Sequence, residues 1–318
     1  MGQTRFQELQ SRIAQIGLEH HGETIIENSR RNAQSVRQTI RESARDERPC
    51  LIVSAGPSLY RENILPRISG FNGTIVATDG AYIQCIRAGI TPDWVITIDP
   101  HPTRIVRWFG DPHFEENSRH DDYFARQDLD VDFRENSARQ NAANIEAVDA
   151  HPCNLAIATS APANVVARTS AFARYWFAPL VDSPVVGSIT RQICERTGCP
   201  AINTGGTVGT AAYCFARHLG AQNIAVVGMD FGYYAGTPLD QTQEWNMLKA
   251  EPDVHDFYPV RNGHWGAGYT SPTYAWYMQN FLDLLDGERV VNCSGGGLLQ
   301  GPGVECMEVE EWLDGLGN

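Results

Sequence analysis

The sequence predicts an α/β fold of the Rossmann-like type, a mostly parallel sheet flanked by helices, with an N-terminal helical extension. Two observations support this prediction. Short apolar runs alternate with segments of helical spacing along most of the chain, which is typical of βαβ units. Several of the runs stop at a glycine or a carboxylate, at the edge where α/β sheets hold their ligands.

Residues 1–48 form the predicted extension and are polar, charged and helical in character. An apolar stripe at helical spacing runs along Phe6, Leu9, Ile13, Ile16 and Leu18. The segment lacks the apolar stretch of a signal peptide, so the expected location is the cytoplasm. We expect these helices to pack on the body of the protein or on a second copy, which would make a homo-oligomer.

The first three strands are predicted between residues 49 and 100, as the apolar runs 50–54, 74–78 and 94–98. The first run leads into the turn AGPSL (55–59), where Gly56 allows a sharp bend and Ser54 and Ser58 offer hydroxyls beside free amides. This turn is not the GxGxxG fingerprint of dinucleotide-binding proteins. The second and third runs end at Asp79 and Asp99, and a single pocket would account for both carboxylates.

A polar insert over residues 101–150 then interrupts the sheet, and such long inserts are usually functional or mobile. The irregular spacing of its histidines, His101, His113 and His120, favours solvated side chains over a metal site. The sheet resumes at 155–159, with a helix over 162–170, a strand at 175–177 and a helix over 187–196. We therefore expect the extension to be followed by one Rossmann-like domain over residues 49–318 that contains the insert.

The stretch 201–231, AINTGGTVGTAAYCFARHLGAQNIAVVGMDF, carries the strongest functional signal. An apolar helix begins after two glycines and ends at Gly220, and we expect Asn203 and Thr204 to cap it. Unpaired amides and the helix dipole at this start suit a phosphate. The residues predicted to hold it are Thr204, Gly205, Gly206 and Thr207. The next strand, 223–227, ends at a third carboxylate, Asp230.

Residues 232–270 read as a polar, aromatic loop, followed by an amphipathic helix over 272–285 and a short strand at 290–293. In the loop, Tyr233 and Tyr234 could stack on a base or offer a hydroxyl to a leaving phosphate. His264 stands in the loop between a glycine and a tryptophan, and an imidazole there could take a proton from a substrate hydroxyl.

Composition excludes several classes of function. The net charge of −13 argues against nucleic-acid binding. No apolar run approaches the roughly 20 residues of a membrane span. The eight cysteines are scattered, and the Cys194 and Cys199 pair lacks the second pair of a zinc site. At this net charge, an anionic ligand would need locally placed hydrogen-bond donors.

Five motifs in a fixed order resemble one known family. They are SAGPSL (54–59), ATDGAYIQCIRAGITPDWVITIDP (77–100), NTGGTVGTAAYCFARHLGAQNIAVVGMDF (203–231), TSPTYAWYMQNF (270–281) and NCSGGG (292–297). The set looks like the motility-accessory-factor proteins, flagellin glycosyltransferases that share the domain called 6-hydroxymethylpterin diphosphokinase MptE-like. The resemblance covers roughly residues 45–305. Its longer relatives carry flanking domains, so it does not imply the acceptor.

A fainter resemblance links the chain to bacterial sialyltransferases, which use CMP-activated sugars. It rests on the GPSL turn, on the glycine-started helix with its following Gly-x-Asp, and on a late histidine before a helix. It implies that His264 is the general base, and we place Asp230 with it in the catalytic centre. Those enzymes have asparagines where this chain has Ala55, Asp79 and Asp99. Carboxylates repel a phosphodiester unless a cation lies between them, so Mg²⁺, a different donor, or contacts to a ribose or amine are expected.

Three functions follow from these residues and resemblances. The first is a nucleotide-dependent glycosyltransferase that uses a CMP-linked acidic sugar. Its nucleotide-binding residues would be Ser54, Gly56, Ser58, Asp79, Asp99, Thr204, Gly205, Gly206, Thr207 and Tyr233. The second is a magnesium-dependent diphosphokinase acting on a pterin-like heterocycle, in which the carboxylates and His101 would hold ATP and Mg²⁺. The third is a nucleotide-binding module without catalysis, which assembles through its N-terminal helices.

Overall fold

The structure is a computed structural model that describes residues 2–117, 133–250 and 256–316. Its strands are β1 Cys50–Val53, β2 Thr74–Thr78, β3 Trp94–Thr97, β4 Asn154–Ala158, β5 Ala173–Pro179, β6 Ala201–Ile202, β7 Ile224–Val227, β8 Tyr233–Tyr234, β9 Tyr258–Asn262, β10 Gly266–Thr270, β11 Val290–Asn292 and β12 Val304–Cys306. Its helices are α1 Gly2–Asn32, α2 Pro57–Arg61, α3 Ile64–Arg67, α4 Asp79–Arg87, α5 Ile105–Trp108, α6 Phe114–Asn117, α7 Phe133–Ala150, α8 Ala163–Arg168, α9 Ile189–Thr197, α10 Val208–Leu219, α11 Gln243–Ala250, α12 Pro272–Leu285 and α13 Val309–Gly315.

A nine-stranded sheet with the order β12-β11-β7-β1-β2-β3-β4-β5-β6 forms the centre of the protein. Its paired strands run parallel, and helices cover both faces. The predicted Rossmann-like α/β fold is therefore confirmed. The chain leaves β1 towards β6 and returns to β7 on the opposite side of β1. The strand order thus reverses between β1 and β7, and α/β proteins bind ligands at the carboxyl edge beside such a reversal.

The two faces of the sheet follow from the alternation of side chains along each strand. On one face, Ile52 and Val76 pack in the same cluster as Phe215 of α10. On the other face, Val53 and Ala77 belong to a second cluster. By the same alternation, Ser54 and Thr78, which follow Val53 and Ala77, lie on the face of the sheet that α10 covers. This alternation decides which strand-end side chains lie beneath the start of α10.

Helix α1 packs on the body of the protein, as predicted. Near its end, Asn28 Nδ2 donates to the carbonyl oxygens of Pro100 (2.9 Å) and Ser160 (2.8 Å), and Asn32 Nδ2 donates to Thr159 O (2.8 Å). These carbonyls follow β3 and β4, so α1 is fixed at the carboxyl edge of the sheet. The domain boundary at residue 48 and the homo-oligomer stay predictions.

The segment 232–270, which the sequence predicts as a loop, contains a three-stranded antiparallel sheet in the order β8-β10-β9. Its strands are two to five residues long and carry Gly266, Gly268 and Pro259, which weaken the alternating pattern of a strand. Gly268 is required by the pairing, because a Cβ there would lie 2.3 Å from Tyr233 O. The edge strand β12 and helix α13 were also not predicted.

The polar insert is largely helical where the structure describes it, with an 18-residue helix, α7, at its end. His120 lies outside the described residues. None of the helices in the described ranges is both long and apolar enough to cross a membrane.

Candidate functional site

Two buried hydroxyls lie side by side at the carboxyl ends of β1 and β2. The register pairs Val53 with Ala77, so Ser54 and Thr78 come next on the neighbouring strands. Ser54 is 7% exposed and Thr78 is 1% exposed, and neither hydroxyl has a hydrogen-bond partner within the described part of the chain. Thr78 is the N-cap residue of α4, yet its side chain makes no capping bond. Buried polar groups are normally paired, so these two adjacent exceptions make the place a candidate binding site.

Both hydroxyls continue the sheet face that α10 covers. Ser54 Oγ lies 3.2 Å from the position that a Cβ on Gly209 would occupy, in the first turn of α10. The first amides of a helix have no partner within the helix and carry its partial positive charge. Ser54, Thr78 and the start of α10 therefore form one cluster of hydrogen-bonding groups that suits an anion.

The cap of α10 differs from the predicted one. Thr207 is the N-cap residue, and its hydroxyl accepts from the Thr210 N–H at 3.1 Å. Asn203 Oδ1 instead accepts from the Gly205 N–H at 2.9 Å, in a turn that precedes the helix. The expectation that Asn203 and Thr204 cap the helix is therefore wrong, because the two glycines add a left-handed turn before it, with φ of +50° and +85°.

The two glycines before α10 are also needed by the packing of the protein itself. A Cβ on Gly206 would lie 2.3 Å from Tyr277 Cε1, and one on Gly205 would lie 2.6 Å from Thr210 Cγ2. Helix α12 thus covers Gly206 with an aromatic ring. The predicted close approach of a ligand is therefore closed where a Cβ on Gly206 would point.

Asp79 is buried on the opposite face of the sheet. Its Oδ2 accepts from the Thr97 hydroxyl at 2.7 Å and its Oδ1 accepts from the Gly80 N–H at 2.7 Å. Burial raises the pKa of Asp79 to about 7, with a further contribution from the charge of Asp99, while the Thr97 hydrogen bond acts in the opposite direction. The carboxyl therefore carries a proton for part of the time near neutral pH.

This raised pKa predicts a pH dependence of stability for which the Asp79→Asn variant is the probe. Folding raises the Asp79 pKa above that of the unfolded chain, so the native state binds the extra proton between pH ~4 and ~7. The Asp79 contribution is therefore present at acid pH and lost as the pH rises through about 7. Denaturant unfolding at several pH values measures this loss, which Asp79→Asn should lack. The free energy of unfolding of the variant, compared with that of the wild type, should therefore be on the order of 2 kcal/mol higher at pH 8 than at pH 5. An unchanged slope would show that Asp79 is ionised throughout this range.

Asp99 follows β3 and organises the loop that leads into the insert. Its Oδ1 accepts from the His101 N–H at 2.8 Å, and its Oδ2 lies 3.5 Å from Arg104 Nη1. The His101 ring in turn forms a 2.8 Å hydrogen bond with the ring of His21 on α1. No group of three or more metal-ligating side chains occurs among the residues that the structure describes.

Asp230 links the end of β7 to the start of α2. Its two carboxylate oxygens accept from the Ser58 N–H (2.7 Å) and from the Ser58 hydroxyl, and its backbone oxygen accepts from the Leu298 N–H at 2.8 Å. Burial raises the pKa of Asp230 to about 6, while the hydrogen bonds from Ser58 act against that rise. The acidic residue after β7 thus fixes the GPSL turn in place.

Close backbone contacts hold this turn against the end of β7. The Gly56 N–H donates to Gly228 O at 2.8 Å, and a Cβ on Gly56 would lie 2.4 Å from that oxygen. Gly228 has φ +69°, and a Cβ there would lie 2.1 Å from Ser54 O. The predicted sharp bend at Gly56 is present. The bend lets the loop after β1 pack closely against the loop after β7, at the point where the strand order reverses.

The aromatic residues after β7 lie in the small sheet. Tyr233 is 3% exposed and packs against Phe257 and Tyr274. Tyr234 Oη donates to Glu62 Oε1 at 3.2 Å. Both side chains therefore have partners within the protein, and the nucleotide contact of Tyr233 stays a prediction.

His264 is exposed in the turn between β9 and β10. Its backbone N–H donates to Asn262 Oδ1 at 2.8 Å, and its ring contacts Trp265 edge-on. The catalytic role of His264 stays a prediction.

The structure thus brings most of the predicted residues together in three places, while Tyr233 lies in the small sheet and His264 in its turn. Ser54 lies with the start of α10, Asp79 lies beside Asp99 across the sheet edge, and Gly56 and Ser58 lie with Asp230. Sequence reasoning missed Thr78, Arg104 and Tyr277. Thr78 could have been suspected because it ends an apolar run. The sequence contains no comparable pattern that places Arg104 near Asp99 or Tyr277 near Gly206.

Comparisons with known proteins bear on the fold and on the resemblance of the chain. Residues 23–114 match the family model described as 6-hydroxymethylpterin diphosphokinase MptE-like. The fold is similar to a solved structure described as the MAf glycosyltransferase from Magnetospirillum magneticum AMB-1, with a TM-score of 0.54 and 14% sequence identity. The alignment covers 90% of this chain and 38% of that one. No curated protein matches the chain. The resemblance read from the sequence is therefore confirmed, since residues 23–114 match the MptE-like family model and the fold is similar to that of a MAf glycosyltransferase structure.

Proposed function

We propose that this chain is a nucleotide-dependent glycosyltransferase whose donor is a CMP-linked acidic sugar. The MptE-like match and the fold similarity to the MAf glycosyltransferase both support a transferase. The choice of a CMP-linked donor rests on the fainter resemblance to sialyltransferases and on the chemistry of the sheet edge.

The observation that carries the proposal is the pair of unpartnered, buried hydroxyls of Ser54 and Thr78 beneath the start of α10. Two hydroxyl donors and a helix N-terminus can together satisfy the oxygens of a phosphate. The hydroxyls lie beside the reversal of strand order, where α/β folds hold nucleotides. A phosphate bound there would pair the hydroxyls and offset their cost of burial.

The raised pKa of Asp79 supports a donor that binds without a bridging metal. The sequence suggested that Asp79 and Asp99 would repel a phosphodiester. Burial brings the Asp79 pKa to about 7, so near neutral pH this carboxyl is protonated part of the time. Asp99 is opposed by Arg104, 3.5 Å away. Both effects reduce the repulsion of a singly charged phosphodiester.

His264 completes the proposal as the general base. Its ring is exposed at the end of a hairpin, where an acceptor hydroxyl could reach it from solvent. An imidazole can accept the hydroxyl proton as the oxygen attacks the anomeric carbon, while the nucleotide phosphate departs. Asp230 would act in this account by holding Ser58 and the GPSL turn.

The second candidate is a magnesium-dependent diphosphokinase, and the description of the matching family favours it. In that case Asp99 and His101 would help to hold ATP and Mg²⁺. A triphosphate carries several more charges than a phosphodiester, so this reaction should need the metal to bind its donor. Dependence on Mg²⁺ therefore separates the two candidates.

A thermal-shift screen of CMP, CDP, ATP and GTP, each with and without Mg²⁺, tests the proposal. A nucleotide at ~100 times its Kd should stabilise the protein by ~2.7 kcal/mol. We expect CMP to raise the melting temperature with or without Mg²⁺. A rise with ATP only when Mg²⁺ is present would instead support the diphosphokinase. No response to CMP would contradict the proposal.

A further inference from the structure

A third buried hydroxyl without a partner follows β11, in the NCSGGG motif (292–297). Ser294 is 0% exposed, and its Oγ has no hydrogen-bond partner within the described ranges. The backbone of this loop is held in place. The Ser294 N–H donates to Asn292 Oδ1 at 3.1 Å, and Asn292 Nδ2 donates to Leu299 O at 3.0 Å. The loop is therefore ordered around a hydroxyl that a ligand could pair.

The strand register places Ser294 in line with the two hydroxyls of the candidate site. One row of paired residues crosses β11, β7, β1 and β2, and it consists of Asn292, Val226, Ile52 and Val76. Two residues further along each strand, in the same order, are Ser294, Gly228, Ser54 and Thr78. Because side chains alternate between the faces of a sheet, this second row continues the face that α10 covers. Cys293, which lies between the two rows, packs in the cluster of the opposite face, as this alternation requires.

Ser294 and Ser54 lie on either side of β7, and the residue of β7 in this row, Gly228, places no side chain between them. Neighbouring strands are about 4.8 Å apart, so the two serines are separated by about 10 Å. A phosphate held at Ser54 and Thr78 cannot also reach Ser294 over this distance. A ligand that pairs all three hydroxyls must therefore carry a second polar group, on the β11 side of its phosphate.

The surroundings of Ser294 favour a neutral, hydroxylated group. A Cβ on Gly297 would lie 2.8 Å from Asp230 Oδ1, and one on Gly295 would lie 3.1 Å from Glu62 Cγ. These two acidic side chains border the loop and would repel a second phosphate. A serine hydroxyl can both donate to and accept from the hydroxyl of a sugar.

Of the two sugars in a nucleotide-sugar, the ribose suits this position better. The sugar that is transferred must be open to its acceptor, whereas Ser294 is fully buried. The ribose stays with the nucleotide throughout the reaction, and it is joined directly to the phosphate. One sugar ring beside a phosphate at Ser54 would bring its hydroxyls towards the end of β11.

We propose that Ser294 binds a ribose hydroxyl of the nucleotide whose phosphate is held at Ser54 and Thr78. This inference rests on the proposed function, because it takes a nucleotide at this edge of the sheet as given. It extends the site across four neighbouring strands, from β2 to β11. It gives Ser294 a role in binding and none in proton transfer.

Calorimetric titration with CMP, 2′-deoxy-CMP and 3′-deoxy-CMP tests the assignment. The wild type should bind one of the two deoxynucleotides about 3- to 10-fold more weakly than CMP, the effect of one hydrogen bond. Ser294→Ala should bind CMP more weakly by the same factor and should bind that deoxynucleotide as the wild type does. Its stability should hold or rise, because the lost hydroxyl has no partner among the described residues.

Ser160→Ala is the matched control. Ser160 is 1% exposed and follows β4 at the same edge of the sheet, and its hydroxyl donates to Ile98 O at 3.0 Å. This variant should lose stability, because it leaves that buried carbonyl without the bond. It should keep the wild-type preference for CMP over the deoxynucleotide.

The outcomes separate this inference from the proposed function. If the wild type binds CMP and Ser294→Ala binds it equally well, Ser294 does not contact the nucleotide and the proposed function stands. Equal losses for CMP and both deoxynucleotides would show that Ser294 acts on something other than a ribose hydroxyl, and would also overturn the assignment. If the wild type binds no CMP, the proposed function fails and the assignment of Ser294 fails with it.

Discussion

Replacing His264 by alanine is expected to lower kcat by ~10²–10⁴-fold while leaving nucleotide affinity nearly unchanged. The imidazole is exposed in the turn between β9 and β10, so its removal should not disturb the core. A general base acts in the transition state, which places the loss in kcat. The acceptor is unknown, so the assay follows slow hydrolysis of a CMP-sugar.

The pH profile gives the His264 prediction a second readout. The wild-type rate should fall on the acid side, where a protonated imidazole can no longer accept a proton. His113→Ala is the matched control, because His113 is also exposed but lies in the polar insert. An alanine variant of His264 with the wild-type rate and profile would remove His264 from the mechanism, and His101 would be the next candidate.

Asp230→Ala is expected to lower the free energy of unfolding by about 3 kcal/mol. The substitution leaves the Ser58 N–H and hydroxyl without their acceptors in a buried place. It also frees the GPSL turn from the end of β7. Denaturant unfolding of the variant measures the loss.

Asp230→Asn separates the structural role of Asp230 from a catalytic one. The amide oxygen can still accept from the Ser58 N–H, and the amide group can donate to the Ser58 oxygen. If Asp230 positions the turn, this variant should keep most of the stability and most of the activity. A stable Asp230→Asn protein that has lost its activity would show that the carboxylate itself takes part in the reaction.

The central sheet could be predicted from the sequence because its strands are buried on both sides. Such strands appear as continuous apolar runs, as in Cys50–Val53 and Ile224–Val227. The small sheet could not be predicted in this way. Its strands YPVRN and GAGYT are short and contain proline and glycine, and it is stabilised by contacts with distant residues such as Leu298, which lies 3.1 Å from a Cβ on Gly268.

The candidate site was only partly predictable for a related reason. Strand-end residues such as Ser54, Asp79 and Asp230 can be read from the sequence, because each follows an apolar run. Their partners cannot, since Ser58 and Asp230 are 172 residues apart in the chain. Alternation predicts the face of a strand-end side chain, but the covering of that face by α10 and of Gly206 by Tyr277 depends on the packing of whole helices.

The most direct test of the account is calorimetric titration of the Thr78→Val variant with CMP. Valine keeps the shape of threonine and removes a hydroxyl that has no partner among the described residues, so stability should hold or rise while CMP affinity falls about 10-fold or more. In Thr97→Val, which loses the hydrogen bond to Asp79, stability should fall and CMP affinity should be kept. CMP binding by Thr78→Val as tight as that of the wild type would contradict a nucleotide phosphate at the ends of β1 and β2.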